Sequence, residues 1–544
     1  MTKFNKINNV AGWAVLILST IVYWLTAEPT GSFWDCGEFI GCAYKLQVPH
    51  SPGAPLFIIL AHLVTLLAPD PSKVALTVNY FSGFSSALTN LFLFWSITAL
   101  GIKIIGKKVA ELSSAEIIAL IGAGLVGAFS NAFADSFWFS AVEGEVYASS
   151  SFFTAIVFWA ILKWEQVADE PYGDRWIIFI GYMLGLAVGI HLLGLLAIPA
   201  IVFVYYFKKY KATNFGMVKA FGASVLILAF IQYGVIPQIP SLSAKFDIIF
   251  VNSLHMPFNS GVVFFLLLVT ISLIGLLIYY KNEKTIFAIT ALVCFPRFIL
   301  VNDAGFFTKI ILIGAFAGAV YLYRLNKNAY FLNLATLTVL FIIVGYSSYL
   351  MVVIRANANP SINMGDPSDP ITLLSYLNRE QYGDRPLLYG PTYNARPIDI
   401  DYESGDMRYS RVDAEHKYVE QGRKPVIKYD SGDEILFPRI YDNDDPSHVR
   451  FYRSWLGKKE GEKPTMGDNL NFFFTYQVGY MYWRYFLWNF SGRQNDIQGI
   501  NHDVKSGNWI TGFPFIDKIL VGDQSKLPYP MNSNKANNKF YMIP

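Results

Sequence analysis

Residues 332–363 read LNLATLTVLFIIVGYSSYLMVVIRANANPSIN. From Leu332 to Ile354 no side chain is charged. A run of about 20 apolar residues is what a helix needs to cross a hydrocarbon core. Arg355 ends the run, and the chain changes character there. Residues 1–354 hold 36 charged side chains, and the shorter stretch 355–544 holds 47. The boundary predicts a membrane domain over 1–354 and a soluble domain over 355–544.

Composition agrees. Of the 544 residues, 53% are hydrophobic and only 15% are charged, against roughly 25% charged in an ordinary soluble protein. A net charge of +3 is too small to point to nucleic acid as a partner. The three cysteines, Cys36, Cys42 and Cys294, make no disulfide framework and read as packing residues. The basic start, MTKFNKINN, leads into an apolar run without a clear small-residue cleavage site before Glu28, so a retained first span is expected.

Apolar runs recur near 10–27, 53–68, 75–100, 116–134, 146–163, 176–190, 192–207, 218–236, 261–280, 285–302, 306–323 and 332–352. Lysines and arginines mark cytoplasmic loops. Lys3 and Lys6, Lys103 to Lys108, Lys208 to Lys211, Lys281 and Lys284, and Arg324 and Lys327 fit one pattern only if an even number of crossings separates Lys6 from Lys103. Three runs lie there. One of 53–68 and 75–100 is therefore expected not to cross, which gives about 11 crossings and puts residue 355 outside. Residues 176–207 are a second weak point, because two runs share them. The external face then receives loop 28–52, loop 132–145, loop 237–260 and residues 355–544. The aromatic stretch 471–490 is expected to be buried or interfacial, or else a further span.

The first external loop contains FWDCGEFIGCAYKL, residues 33–46. Its spacing predicts a short interfacial helix with Asp35, Glu38, Cys42 and Lys45 on one face and Cys36, Phe39, Ile40, Ala43 and Tyr44 on the other. VPHSPGAPLF follows at 48–57, where Pro52, Gly53 and Pro55 fix a turn beside His50. A histidine there either donates to an anion or caps a helix.

These motifs carry a resemblance. D-x-G-E-F after the first span and H-x-P-G-x-P-L before the next resemble the GT-C superfamily, multispanning glycosyltransferases that use polyprenyl-phosphate sugars. Within it the chain is similar to a bacterial membrane family related to the eukaryotic transmembrane protein O-mannosyltransferase. SFWFSAVEGEVYASSSFF (136–153), GLAVGIHLLGLLAIPA (185–200), IRANANPSIN (354–363) and YMYWRYFLWNFSGRQNDIQG (480–499) extend the likeness. Many relatives continue into further membrane helices, so a shorter form or a missing C-terminal portion is expected. The fold implied is an α-helical multispanning membrane protein, GT-C-like with interfacial helices, followed by an extracytoplasmic mixed α/β domain.

Glu143 and Glu145 cannot share a helix face, but an irregular backbone at Gly144 would aim both inward. They read as donor contacts or as a solvated loop. Paired acidic groups in two loops also suit a divalent metal, and the resemblance leaves metal dependence open. His191 interrupts an apolar run, where a lone histidine is either satisfied by packing or, at the external end of the run, stands where a lipid phosphate would lie. Arg297 would cost roughly 2.5–3.5 kcal/mol at a helix centre and needs a partner. Arg355 carries a guanidinium fork suited to phosphate, or else pairs with an acidic residue such as Asp366 and fixes the following domain to the membrane.

The expected activity is transfer of a mannose-like sugar from a polyprenyl-phosphate donor to a Ser or Thr hydroxyl of an exported protein, with inversion. Asp35 is the expected base and Glu38 its supporting neighbour. His50, His191 and Arg355 are the phosphate candidates, and Glu143 and Glu145 line the substrate side. The multi-pass protein is expected in the cytoplasmic membrane, with membrane lipid around it. A transporter or lipid-carrier flippase would predict inverted repeats, and none is visible. A membrane scaffold with an external docking domain gives no reason for Asp35 and Glu38 to stand where they do.

Overall fold

The computed structural model describes residues 2–279, 281–282, 329–383, 385–497, 507–529 and 531–541. Ten of the twelve apolar runs fall on these residues, and each coincides with a helix. The runs 285–302 and 306–323, together with Arg297 and Cys294, lie outside them.

Along the chain, α1 (Lys3–Leu25) is followed by α2 (Cys36–Lys45), α3 (Pro55–Thr65), α4 (Val74–Ile105), α5 (Ser114–Ala132), α6 (Asp135–Ala141), α7 (Val146–Val167) and α8 (Arg175–Val188). Next come α9 (Ile198–Lys209), α10 (Asn214–Ala229), α11 (Gln238–Asn252), α12 (Ser260–Ile278), α13 (Ala329–Tyr346), α14 (Leu350–Asn357) and α15 (Pro370–Asn378). Eight helical stretches among the described residues are long and apolar enough to span a membrane. The protein is a multispanning helical membrane protein.

The two weak points of the sequence are the two short helices. At 1.5 Å per residue α3 reaches about 16 Å, roughly half a hydrocarbon core, whereas α4 has the length to cross it. Helix α8 ends at Val188, and the backbone leaves helical geometry at His191 before a tight turn leads into α9. Helix α8 packs on α13 by close backbone approach. A Cβ on Gly185 would lie 2.3 Å from the Ile342 carbonyl, and one on Gly345 would lie 2.5 Å from the Leu186 nitrogen. Gly181 meets Thr338 in the same way. Small residues four apart are the usual means of joining helices in lipid, where no hydrophobic effect drives them together.

Contacts divide the chain into two units. The first comprises residues 1–133, 137–382 and 409–421; the second comprises 134–136, 383–408 and 422–544. The segment 355–382 thus groups with the helical unit. So does the tip of the hairpin formed by Met407–Val412 and Lys417–Arg423, where Tyr418 donates to the buried Asp247 of α11 at 2.8 Å.

In the second unit, strands Tyr389–Pro391 and Glu434–Leu436 pair antiparallel, as do Pro397–Asp401 and Val426–Tyr429. Its core gathers Tyr393, Ile440, Tyr452 and Phe472. The stretch 471–490 is helical throughout, with wide π-type turns over Phe473–Arg484. It is not among the eight candidate spans. Asp135 pairs with Arg493 at 2.6 Å and belongs to this unit.

The lysine pattern yields a direct expectation for orientation. A membrane-impermeant label on a cysteine at Gly106 should react only from the cytoplasmic side, and one at Ser431 only from the opposite side. Reaction of both from the same side would reverse the placement of residues 422–544.

Candidate active site

The site is built on the loop between α1 and α3. Helix α2 starts after Asp35 and ends at Leu46, whose φ of 50° closes it in left-handed geometry. Cys36, Phe39, Ile40, Cys42 and Ala43 are its buried positions. The expected face assignment holds for Glu38 and Lys45. It fails for Cys42, which is fully buried, and for Tyr44, which is exposed. The cause is the neighbour that packs here: α3 lies against α2 and covers the turn bearing Cys42.

Glu38 holds His50 twice. Its Oε1 accepts from the His50 backbone nitrogen at 2.6 Å, and its Oε2 lies 2.8 Å from Nδ1. The other ring nitrogen, Nε2, stands 3.8 Å from Asp35 Oδ2. The Glu38 hydrogen bond raises the imidazole above its usual range, and the charges of Asp35 and Glu145 add to it. Burial pushes the Glu38 carboxyl up, but the bonds from His50 win and hold it below the usual carboxylate range. The pair thus favours an imidazolium on His50 and a carboxylate on Glu38, and the second ring nitrogen faces Asp35.

The second acidic loop comes up behind this group. Glu28 donates its backbone N–H to the Val142 carbonyl at 3.0 Å, which ties the two loops together. Gly144 fits between α2 and α4: a Cβ there would lie 3.0 Å from Ile40, Val78 and Asn79. Glu143 and Glu145 flank it and are both buried, at 5% and 6% exposure. The irregular backbone at Gly144 turns both carboxyls inward. Glu145 caps α7, accepting from the Val146 nitrogen at 2.6 Å. Burial still pushes its carboxyl up to about 7, aided by the charges of Asp35 and Glu143. Burial also raises Glu143, against the pull of Ser32 and Cys36.

His191 caps the turn that opens α9. Its Nδ1 accepts from the Leu193 nitrogen at 3.2 Å, so a neutral ring carries its proton on Nε2. Burial, with the nearby charge of Arg379, holds its pKa below the usual range. Its ring packs against Tyr147 at 5.5 Å. Tyr147 in turn lies within electrostatic reach of Asp35, Glu145 and Arg379. Asp35, Glu38, His50, Glu143, Glu145 and His191 therefore share one neighbourhood.

Arg355 stands apart from it. Its Nε donates to the Leu46 carbonyl at 2.5 Å and its Nη2 to the Lys45 carbonyl at 3.4 Å. It satisfies the carbonyls that α2 leaves open at its C-terminus. Among the described residues, a cation whose charge does reach this neighbourhood, at His191 and Tyr147, is Arg379, one residue beyond α15, which the sequence reading missed. Its only local signal was the Asp369/Thr372 capping box that opens α15.

Asp35, Glu38 and His50 also offer ligand atoms within 4.8 Å of one another. Two carboxylates and an imidazole form a donor set that suits a divalent cation.

Residues 35–214 match the family model described as the N-terminal domain of protein O-mannosyl-transferase TMEM260. The match begins at Asp35 and takes in every sequence-predicted site residue except Arg355. Residues 383–474 match a family of unknown function, DUF8416. The protein O-mannosyl-transferase tmem260 of Dictyostelium discoideum is 25% identical over 157 residues, which cover 28% of this chain and 17% of that protein. The mouse protein O-mannosyl-transferase TMEM260 is 28% identical over 153 residues, covering 28% of this chain and 19% of its own length. The aligned part thus spans less than a fifth of each relative. The N-terminal third of the chain is related to this eukaryotic O-mannosyltransferase family. No solved structure matches the chain.

Proposed function

We propose that the protein is a membrane glycosyltransferase that moves a mannose-like sugar from a polyprenyl-phosphate donor to a hydroxyl of an exported protein. The observation that carries this reading is the placement of Asp35 beside the Glu38–His50 pair, in a stretch related to protein O-mannosyl-transferases. The distribution of lysines supports an extracytoplasmic site in the cytoplasmic membrane.

Asp35 accepts the proton of the acceptor hydroxyl as its oxygen attacks the anomeric carbon. The bond from that carbon to the phosphate oxygen breaks, and the polyprenyl phosphate leaves with the electron pair. No general acid is needed, because the phosphate leaves as a stable anion. A single displacement inverts the anomeric centre. His50, fixed by Glu38, holds the Asp35 carboxylate in line. The His191 Nε2–H and the Arg379 guanidinium supply the positive field that stabilises the leaving phosphate. A divalent cation, were one held by Asp35, Glu38 and His50, would require the neutral imidazole and would supply charge stabilisation of that phosphate in place of the imidazolium.

The test is an assay of the purified chain in lipid with labelled polyprenyl-phosphate mannose and Ser/Thr peptides. Transfer to peptide, abolished by Asp35→Asn, is the expected result. Absence of transfer from all polyprenyl-phosphate hexoses, with the donor shown to bind, would overturn the reading. Arg379→Ala should lower the transfer rate about tenfold or more, in the range for losing one preorganised stabilising group. Arg355→Ala should lower the melting temperature and leave transfer per folded molecule nearly unchanged.

A further inference from the structure

The loop bearing Asp35, Glu38 and His50 is not held by its own sequence alone. A segment some 300 residues later runs along it, all within the first unit. Arg355 takes the carbonyls of residues 45 and 46. Val48 donates to the Ile362 carbonyl at 3.1 Å, and Met364 returns a bond to the Val48 carbonyl at 3.1 Å. Tyr376 then takes over. Its hydroxyl donates to the carbonyl of Pro49 and lies 3.3 Å from that of His50, while the Ser51 hydroxyl donates to the Tyr376 carbonyl. A Cβ on Gly53, where φ is +94°, would lie 2.6 Å from the same hydroxyl. Residues 45 to 53 are thus gripped almost residue by residue.

Tyr376 is buried at 4% exposure. A buried phenol satisfied by backbone carbonyls fixes the path of that backbone, because breaking the bonds would leave polar groups stranded. The backbone it fixes is that of His50 itself. The His50 N–H and ring are both engaged by Glu38, so a shift at its carbonyl is passed to the pair and to Asp35.

Resting on the transferase reading above, we propose that Tyr376 is a positioning residue of the active site, which sets His50 in register with Glu38 and Asp35 from the far side of the turn. Tyr376 touches no reacting atom. It acts through a backbone carbonyl, and it lies outside the residues that the family models match, 35–214 and 383–474.

Tyr376→Phe keeps the ring and removes the hydroxyl. Its kcat per folded molecule should fall about tenfold or more, the scale of a small misplacement of catalytic groups, while the KM for the donor stays within about twofold. Combined with Glu38→Gln, the loss should be smaller than the product of the two single losses, since both act through His50. A second readout does not need turnover. The rate of carbethoxylation of His50, normalised to the exposed His255 and read by mass spectrometry at one pH, should rise several-fold in Tyr376→Phe. Ser51→Ala, which removes only the reciprocal bond, should move both readouts the same way by less, and it serves if Tyr376→Phe folds poorly. A lowered melting temperature with normal kcat per folded molecule and an unchanged His50 modification rate would make Tyr376 a packing residue only and overturn the proposal. If the wild type transfers no sugar, the transferase reading fails, and the His50 modification rate alone decides whether Tyr376 positions that side chain.

Discussion

Asp35→Asn should lower sugar transfer by roughly 10²-fold or more, the range for losing a general base. The substitution keeps the shape of the side chain and removes its proton affinity. Donor binding should survive, because the groups assigned to the phosphate, His191 and Arg379, are untouched. Glu38→Gln should cost less. The amide oxygen still accepts one bond from His50, but the charge that favours the protonated imidazole is gone. Single-turnover transfer and donor binding, measured on each variant, check both expectations. Near-normal turnover in Asp35→Asn with a dead Glu38→Gln would move the base to Glu38. Near-normal turnover in both would remove the loop from the chemistry.

Glu145→Gln should stabilise the protein, and increasingly so as pH rises. In the unfolded chain this carboxyl titrates near its ordinary value, 4.5, and in the folded protein near about 7. Folding therefore favours the protonated form. Its contribution is fully present below pH 4.5 and is lost as pH rises through about 7, when a buried carboxylate must be formed. At about 1.4 kcal/mol per unit, wild type should lose about 3 kcal/mol relative to the glutamine variant between pH 4.5 and 8. Glutamine keeps an oxygen for the Val146 nitrogen, so the helix cap survives. Melting temperatures of the two proteins should coincide near pH 4 and separate by pH 8. A variant less stable than wild type at pH 8 would mean that Glu145 works as an ion held by a cation.

Much of this was legible in the sequence, for identifiable reasons. A span must be long and apolar whatever surrounds it, so ten runs became ten helices, and the two that looked short are short. Asp35 and Glu38 stood out because their spacing fits a helical face next to the first span. Their link to His50 was beyond reach: His50 read as an anion donor or a helix cap, and its partner proved to be Glu38, twelve residues back. Gly144 correctly signalled an irregular backbone between two carboxylates. Their deep burial depends on α2 and α4, which no local pattern reports. Arg355 misled for a related reason. A guanidinium fork after the last span suits a phosphate, but it also suits two backbone carbonyls, and those lie more than 300 residues away in the chain. Tyr376 and Arg379 left almost no trace, since an aromatic and a cation near a helix end are ordinary in any loop.

The grip of residues 355–376 on the first loop also governs how the polypeptide can be divided. The drop in hydrophobicity at Arg355 invites a cut there, whether for expressing the membrane part alone or for grafting a different C-terminal region onto it. Such a fragment would carry every acidic residue of the site and lack the chain that shapes the turn around His50. A junction after Tyr382 would keep this segment, but residues 409–421, whose Tyr418 bonds to Asp247, also belong to the first unit and would have to be retained. Modular exchange between relatives is therefore closed to the thirty or so residues before position 383, and to the hairpin tip at 409–421 as well.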